Sequence, residues 1–244
     1  MKTLAVVFLV LLVTISPTVA QIPDEFTNLK VLPKDISRDE MVSVMREFSE
    51  ALGVRCKFCH VGESEDSLEG YDFASDEPKH KQVTRGMMAM TGEINGKLLP
   101  GAGLDSPMRV ECVTCHRGLA EPRQLEQVLT EVIEKEGVAA AADRYRELRK
   151  EYFGSGAYDF GPAALDDIAE RLAREDQDVK GALTLMKLNV ETNSDSANSF
   201  LMLSQLYLAS DQKDKALFSV KRALDLEPDN EFAQRLLQRI SPSE

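Results

Sequence analysis

The sequence predicts an all-α chain in two parts, a helical domain over residues 21–122 and an α-solenoid of repeated helix pairs over residues 123–244. Three observations predict it. Apolar residues recur at three- and four-residue steps along most of the chain, the spacing of one helix face, and no stretch alternates with the two-residue period of a half-buried strand. The composition shifts at about Pro122 towards Ala, Leu, Glu and Arg. Within that second part, one helix pair carries small and large apolar residues at the offsets of a 34-residue repeat.

The chain opens with an export signal. Lys2 supplies a short positive region, Leu4 to Ile15 is an apolar run of 12 residues, and Pro17-Thr18-Val19-Ala20 places small residues before a cut ahead of Gln21. Such a run is short of the ~20 residues that a membrane span needs. The exported chain is expected in a periplasmic or extracellular compartment, with no integral membrane span. Without Lys2 it carries 28 basic against 41 acidic side chains, a net −13, with none of the clustered Lys and Arg that nucleic acid requires. An acidic surface of this kind suits a basic redox partner, or solubility alone.

Ser37-Arg38-Asp39-Glu40 matches a capping box, in which the Ser hydroxyl and the Glu carboxylate satisfy free amides at a helix start. Met41, Met45, Phe48 and Leu52 then fall on one helical face, and Gly53 supplies the left-handed stop. Immediately after comes Cys56-Lys57-Phe58-Cys59-His60. Residues 61–77 read as an acidic loop, and a second helix is expected from about Pro78 to Ile94 with Val83, Met87, Met90 and Ile94 on one face. Gly96, Pro100, Gly101 and Gly103 are expected to break it before Cys112-Val113-Thr114-Cys115-His116.

The two C-x-x-C-H elements use all four cysteines and two of the three histidines. The pattern reads as covalent haem attachment: two cysteines three positions apart can each form a thioether to a haem vinyl group, and the next histidine can bind the iron. Two alternatives compete. The cysteines could form a Cys₄ zinc site, although the 52 residues between Cys59 and Cys112 exceed the usual zinc-ribbon spacing. Each pair could instead be a thioredoxin-like redox pair, but neither sits in a βαβ pattern. Neither alternative needs a histidine after both pairs.

Several stretches resemble the cytochrome c subunit of photosynthetic reaction centres. They are Asn28-Leu29-Lys30-Val31-Leu32-Pro33, Val44-Met45 through His60, Arg85-Gly86-Met87-Met88-Ala89-Met90-Thr91, and Val110 through Gly118, together covering about residues 28–122. The resemblance implies two covalently bound haem c groups, each packed on a helix that supplies a methionine as sixth ligand. By the match of motifs, Met45 corresponds to the ligand of the first haem and Met87 to that of the second. The implied site is therefore Cys56, Cys59, Cys112 and Cys115 as thioether anchors, with His60, His116, Met45 and Met87 on iron. The best-known members carry four haems and this chain has two motifs, so electron carrying is taken over and photosynthesis is left open.

His80, between Lys79 and Lys81, is a candidate ligand to the second haem, but its charged neighbours favour a solvated helix start. Met88, Met90 and Met108 read as packing. Arg55, Arg109 and Arg117 adjoin the motifs and could pair with propionates or simply be solvated.

Beyond Pro122, helix pairs are expected at 125–136 with 139–152, 163–174 with 179–191, and 197–209 with 213–226, closed by a last helix over 231–240. Phe200, Leu203, Ser204, Tyr207, Ala216, Val220, Ala223 and Pro228 occupy the tetratricopeptide offsets. Such an array suits a protein partner or serves as scaffold. The activity expected is one-electron transfer between redox partners rather than catalysis. The alternatives are a dihaem enzyme such as a peroxidase, and a docking protein whose haems are structural.

Overall fold

A computed structural model describes residues 22–64, 66–103 and 108–241 of the chain. The expected export signal, residues 1–20, lies outside the described residues. Those residues form an all-α protein: no strand is present among them, only an isolated bridge between Val61 and Asp72. Nor is any of their helices long and apolar enough to cross a membrane. The chain divides into two compact units that meet between Thr114 and Cys115, inside the second C-x-x-C-H element and ahead of the composition shift at Pro122.

The first unit contains α1 (Arg38–Leu52) and α2 (Lys79–Glu93). At the start of α1 the capping box is closed in both directions: Glu40 N–H donates to Ser37 Oγ at 3.3 Å, and Ser37 N–H to Glu40 Oε2 at 2.9 Å. Gly53 ends it at φ 64°, a left-handed conformation that a Cβ would strain.

α2 does not break after Ile94. It widens into a π turn over Ile94–Leu98 and continues as the short α3 (Leu99–Gly101). Pro100 explains the widening, because it has no N–H to donate at the first turn of α3, while the Leu99 N–H reaches back to the Ile94 carbonyl. α4 (Cys112–His116) is the second C-x-x-C-H element itself, wound as a helical turn.

The second unit is an array of antiparallel hairpins: α5 (Leu125–Glu136) with α6 (Val138–Tyr152), α7 (Ala163–Arg174) with α8 (Val179–Thr192), α9 (Ala197–Ala209) with α10 (Lys213–Leu226), and α11 (Glu231–Ile240) packed on α10. Ala216 and Ala223 are fully buried, which lets α9 and α10 approach closely. At that approach the Ser204 hydroxyl donates to the Ala216 carbonyl at 2.9 Å. The loop over residues 153–161 is a plug rather than a loose connector: buried Phe160 meets the fully buried Tyr145 ring edge-to-face at 5.7 Å.

One carboxylate ties three helices of the array together. Asp166 on α7 is 7% exposed and accepts from Asn189 Nδ2 on α8 at 2.7 Å, and from Ser199 Oγ and Asn198 Nδ2 on α9 at 2.9 and 3.1 Å. Burial raises its carboxyl above the ordinary 3.8, against the pull of those three donors. A carboxyl raised on folding binds more protons folded than unfolded in the window above 3.8, so its contribution to stability is complete below that window and declines as pH rises through it. Asp166→Ala, which strands the three donors, is expected to lower the stability of the second unit by roughly 2–4 kcal/mol in chemical denaturation. Asp166→Asn is expected to flatten the pH slope that the wild type shows there.

Candidate cofactor site

The first unit is nearly without a packed core of its own. Among its described residues, only Met41 and Ala51 are buried apolar side chains, and none of the α2 side chains is buried. Instead, its apolar stripes front a cavity of about 520 Å³. α1 contributes Met41, Met45, Phe48 and Leu52; the first motif contributes Cys56, Cys59 and His60; the loop contributes Tyr71 and Phe73; α2 contributes Lys81, Thr84, Arg85 and Met88.

The Gly53 turn delivers the motif to this wall. After it, a single 3-10 turn at Cys56–Phe58 brings the His60 N–H back to the Cys56 carbonyl at 2.9 Å. Gly62 then passes so close to the Tyr71 ring that a Cβ would collide with it, which fixes how the chain leaves the motif.

Burial, and then the Lys81 charge, push the His60 imidazole down to about 4. It is therefore neutral near pH 7, the form that binds metal. Its Nδ1 is buried without a hydrogen-bond partner, and its ring meets Phe73 edge-on at 5.1 Å. In the second motif, His116 is 8% exposed and its Nδ1 lies 2.8 Å from the Leu119 carbonyl. That oxygen can only accept, so Nδ1 carries the proton and Nε2 keeps a free lone pair. Burial raises the Cys59 thiol above its ordinary range, opposed by a hydrogen bond with Thr84.

The cavity thus brings together four of the eight residues expected at the site: Met45, Cys56, Cys59 and His60. Met41, one turn from Met45, fronts it as well. Met87 does not line it; its neighbour Met88 does. The α2 face with Lys81, Thr84, Arg85 and Met88 borders the first cavity, leaving Met87 on a different face with Val83, Met90 and Ile94, of which Val83 and Met90 are exposed. All four cysteines are free of disulfides. Among the described residues no group of three or more His, Cys, Asp or Glu gathers to hold a bare ion, so the Cys₄ alternative finds no support there.

His80, a candidate for the second haem by sequence, is engaged with the first motif. Its ring stacks on Phe58 at 3.9 Å, and its Nδ1 lies 3.1 Å from the Phe58 carbonyl. Arg55 lines the cavity, whereas Arg109 and Arg117 are exposed.

Sequence reasoning missed two kinds of residue. Lys81, Thr84 and Arg85 were legible as a second stripe on α2 but were passed over for the methionines. Asn95 gave no signal: from the π turn its amide donates to the Val110 carbonyl at 2.7 Å and accepts from the Val110 N–H at 2.7 Å, fixing the approach to Cys112. π turns often mark such functional positions.

Two cysteines, a neutral imidazole with an orphaned nitrogen and a thioether around an apolar cavity of cofactor size fit a c-type haem. The fold and this site define a helical c-type cytochrome. The family model described as the photosynthetic reaction centre cytochrome C subunit matches residues 15–163, and the chain belongs to that family. The match runs beyond the stretch that carries the resemblance in sequence, reaching across α5 and α6. No curated protein matches the chain. Among solved structures, it is similar to the first TPR of Spaghetti (RPAP3) bound to an HSP90 peptide, at 19% identity over 48% of this chain and 89% of that one, with a TM-score of 0.33.

Replacing Asn95 by Ala is expected to cost roughly 1–3 kcal/mol and to release the Val110 amide. Hydrogen exchange should show lost protection at Val110, with the amides of Cys59 and His60 unchanged.

Proposed function

We propose that the protein is an exported dihaem c-type cytochrome that carries single electrons between redox partners, with the helical repeats as its docking domain. The observation that carries this reading is the cavity fronted at once by Met45, Cys56, Cys59 and His60.

In that arrangement Cys56 and Cys59 would hold the haem covalently, and His60 and Met45 would bind its iron. The haem supplies a one-electron iron couple when bound. The protein's own contribution is to hold both ligands in place and to keep water away with the apolar α1 stripe. With His60 and Met45 both on the iron, the chemistry would favour electron carrying over catalysis at an open iron, and a Met ligand would place the potential above that of a bis-His site. The second motif is assigned the same role through Cys112, Cys115 and His116, with Met87 as sixth ligand by family resemblance. The repeats, residues 123–244, are assigned to a protein partner, the use to which concave helical arrays are suited.

Intact mass of the exported protein is expected to show two haems, the chain beginning near Gln21. A single haem, or zinc, would remove the cytochrome role from the motif that lacks it. Met45→Leu keeps volume and apolarity but deletes the sulfur. It is expected to lower the first haem's potential and to abolish the weak sulfur-to-iron band of the oxidised protein. An unchanged spectrum in Met45→Leu together with an altered one in Met41→Leu would move the ligand by one helical turn. The reduced wild type is expected to bind little carbon monoxide, whereas ready binding would indicate an open iron and an enzyme.

A further inference from the structure

The charge of the cavity wall runs against the charge of the chain. The protein is net −12, yet the described residues around the cavity include five cations, Lys30, Arg46, Arg55, Lys81 and Arg85, against the carboxylates of Glu25 and Asp72. Lys30, Arg46 and Arg55 are exposed. Lys81 and Arg85 are not, their side chains being only 14% and 19% accessible.

Both cations are held by the fold rather than left to find water. Lys81 Nζ donates to the Phe73 carbonyl at 2.8 Å and to the Ser75 carbonyl at 2.7 Å, which leaves one of its three protons. Arg85 donates to the Asn28 carbonyl at 3.1 Å and pairs with Asp76 at 2.7 Å, which leaves part of its guanidinium fork unused. Burial and the neighbouring Arg85 hold the Lys81 ammonium below the usual lysine range.

Asp76 lies within 4 Å of both cations and the Asp72 charge also favours the Lys81 ammonium, yet burial and the neighbouring Arg85 outweigh both carboxylates at Lys81. Withdrawing cations from water without equal countercharge is costly, and a carboxylate ligand that completes the pairing removes that cost.

We infer that Lys81 and Arg85 form a carboxylate-binding corner of the cavity, which receives a propionate of the haem attached at Cys56 and Cys59. The inference rests on the haem reading proposed above. The pair has two effects. It orients the ring by charge-assisted hydrogen bonds. It also stabilises the reduced iron, whose charge is one unit less positive, so it raises the potential of this haem.

Two near-isosteric exchanges in the haem-loaded full chain, followed by equilibrium redox titration and resonance Raman spectroscopy, separate this from a structural role. In Arg85→Gln the ratio of reduced to oxidised first haem, read at the wild-type midpoint, is expected to fall roughly three- to tenfold. The propionate-bending mode should shift, and Arg85→Lys should recover most of the potential. Asp76→Asn removes the competing carboxylate and is expected to move the same ratio upward.

Opposite signs from neighbouring exchanges are not what loosened packing produces, so movement of both in one direction would overturn the inference. An unshifted potential in Arg85→Gln would do the same. So would a shifted potential with an unmoved propionate mode, because the cations would then act at a distance and bind nothing. Intact mass, read first, distinguishes the two levels: a wild type without haem on the first motif overturns the cofactor reading itself, whereas haem present with no Arg85 effect overturns only the corner.

Discussion

Hydrophobic stabilisation grows with the apolar area that leaves water, and the first unit has little area to offer by itself. Its two helices turn Met41, Met45, Phe48, Leu52 and Met88 towards a cavity rather than into one another, and of their side chains only Met41 and Ala51 end up buried. A cofactor tied at Cys56 and Cys59 would therefore do more than carry an electron. It would supply the apolar surface on which α1 and α2 pack, much as a structural metal supplies the fold of a small domain. The second unit has no such dependence, with fully buried Tyr145, Leu165, Ile168, Leu185 and Val220 running through its hairpins.

The polar fittings of the first unit follow from the same constraint. A backbone folded around a bulky guest has loops that do not cover one another, and their carbonyls need donors. Lys81 takes up those of Phe73 and Ser75, Arg85 that of Asn28, and His80 that of Phe58. One helical face thus pins the chain before, within and after the attachment turn. The imidazole of His60, kept neutral and with its buried Nδ1 unpaired among these groups, would be available as a ligand.

The fold was largely legible because helices are written in local periodicity. The Ser37 capping box, the Gly53 stop and the 34-residue offsets from Phe200 to Pro228 each specify an element from neighbours in sequence. Two things were not local. The π turn at Ile94–Leu98 depends on Pro100 having no N–H and on the Asn95 pairing with Val110, 15 positions away, so Gly96 and Pro100 read as a plain break. Arg85 meets Asn28 across 57 positions, and His80 meets Phe58 across 22. Contacts of that range leave no periodic trace, so a helix read as serving the second motif turned out to border the first. The thiols and imidazoles of the proposed site stand at a fixed local spacing that a sequence displays; the residues that surround them obey no such rule.

The two motif histidines end in different surroundings, and the difference has a direction. His116 donates a hydrogen bond from Nδ1 to the Leu119 carbonyl, which makes the imidazole a stronger electron donor to whatever Nε2 binds, while the buried Nδ1 of His60 has no partner. A more basic ligand favours the oxidised metal. For two irons so ligated, an electron arriving at the second motif would find the first one downhill. A single carbonyl at Leu119 would then make the two motifs unequal stores of an electron rather than a symmetric pair.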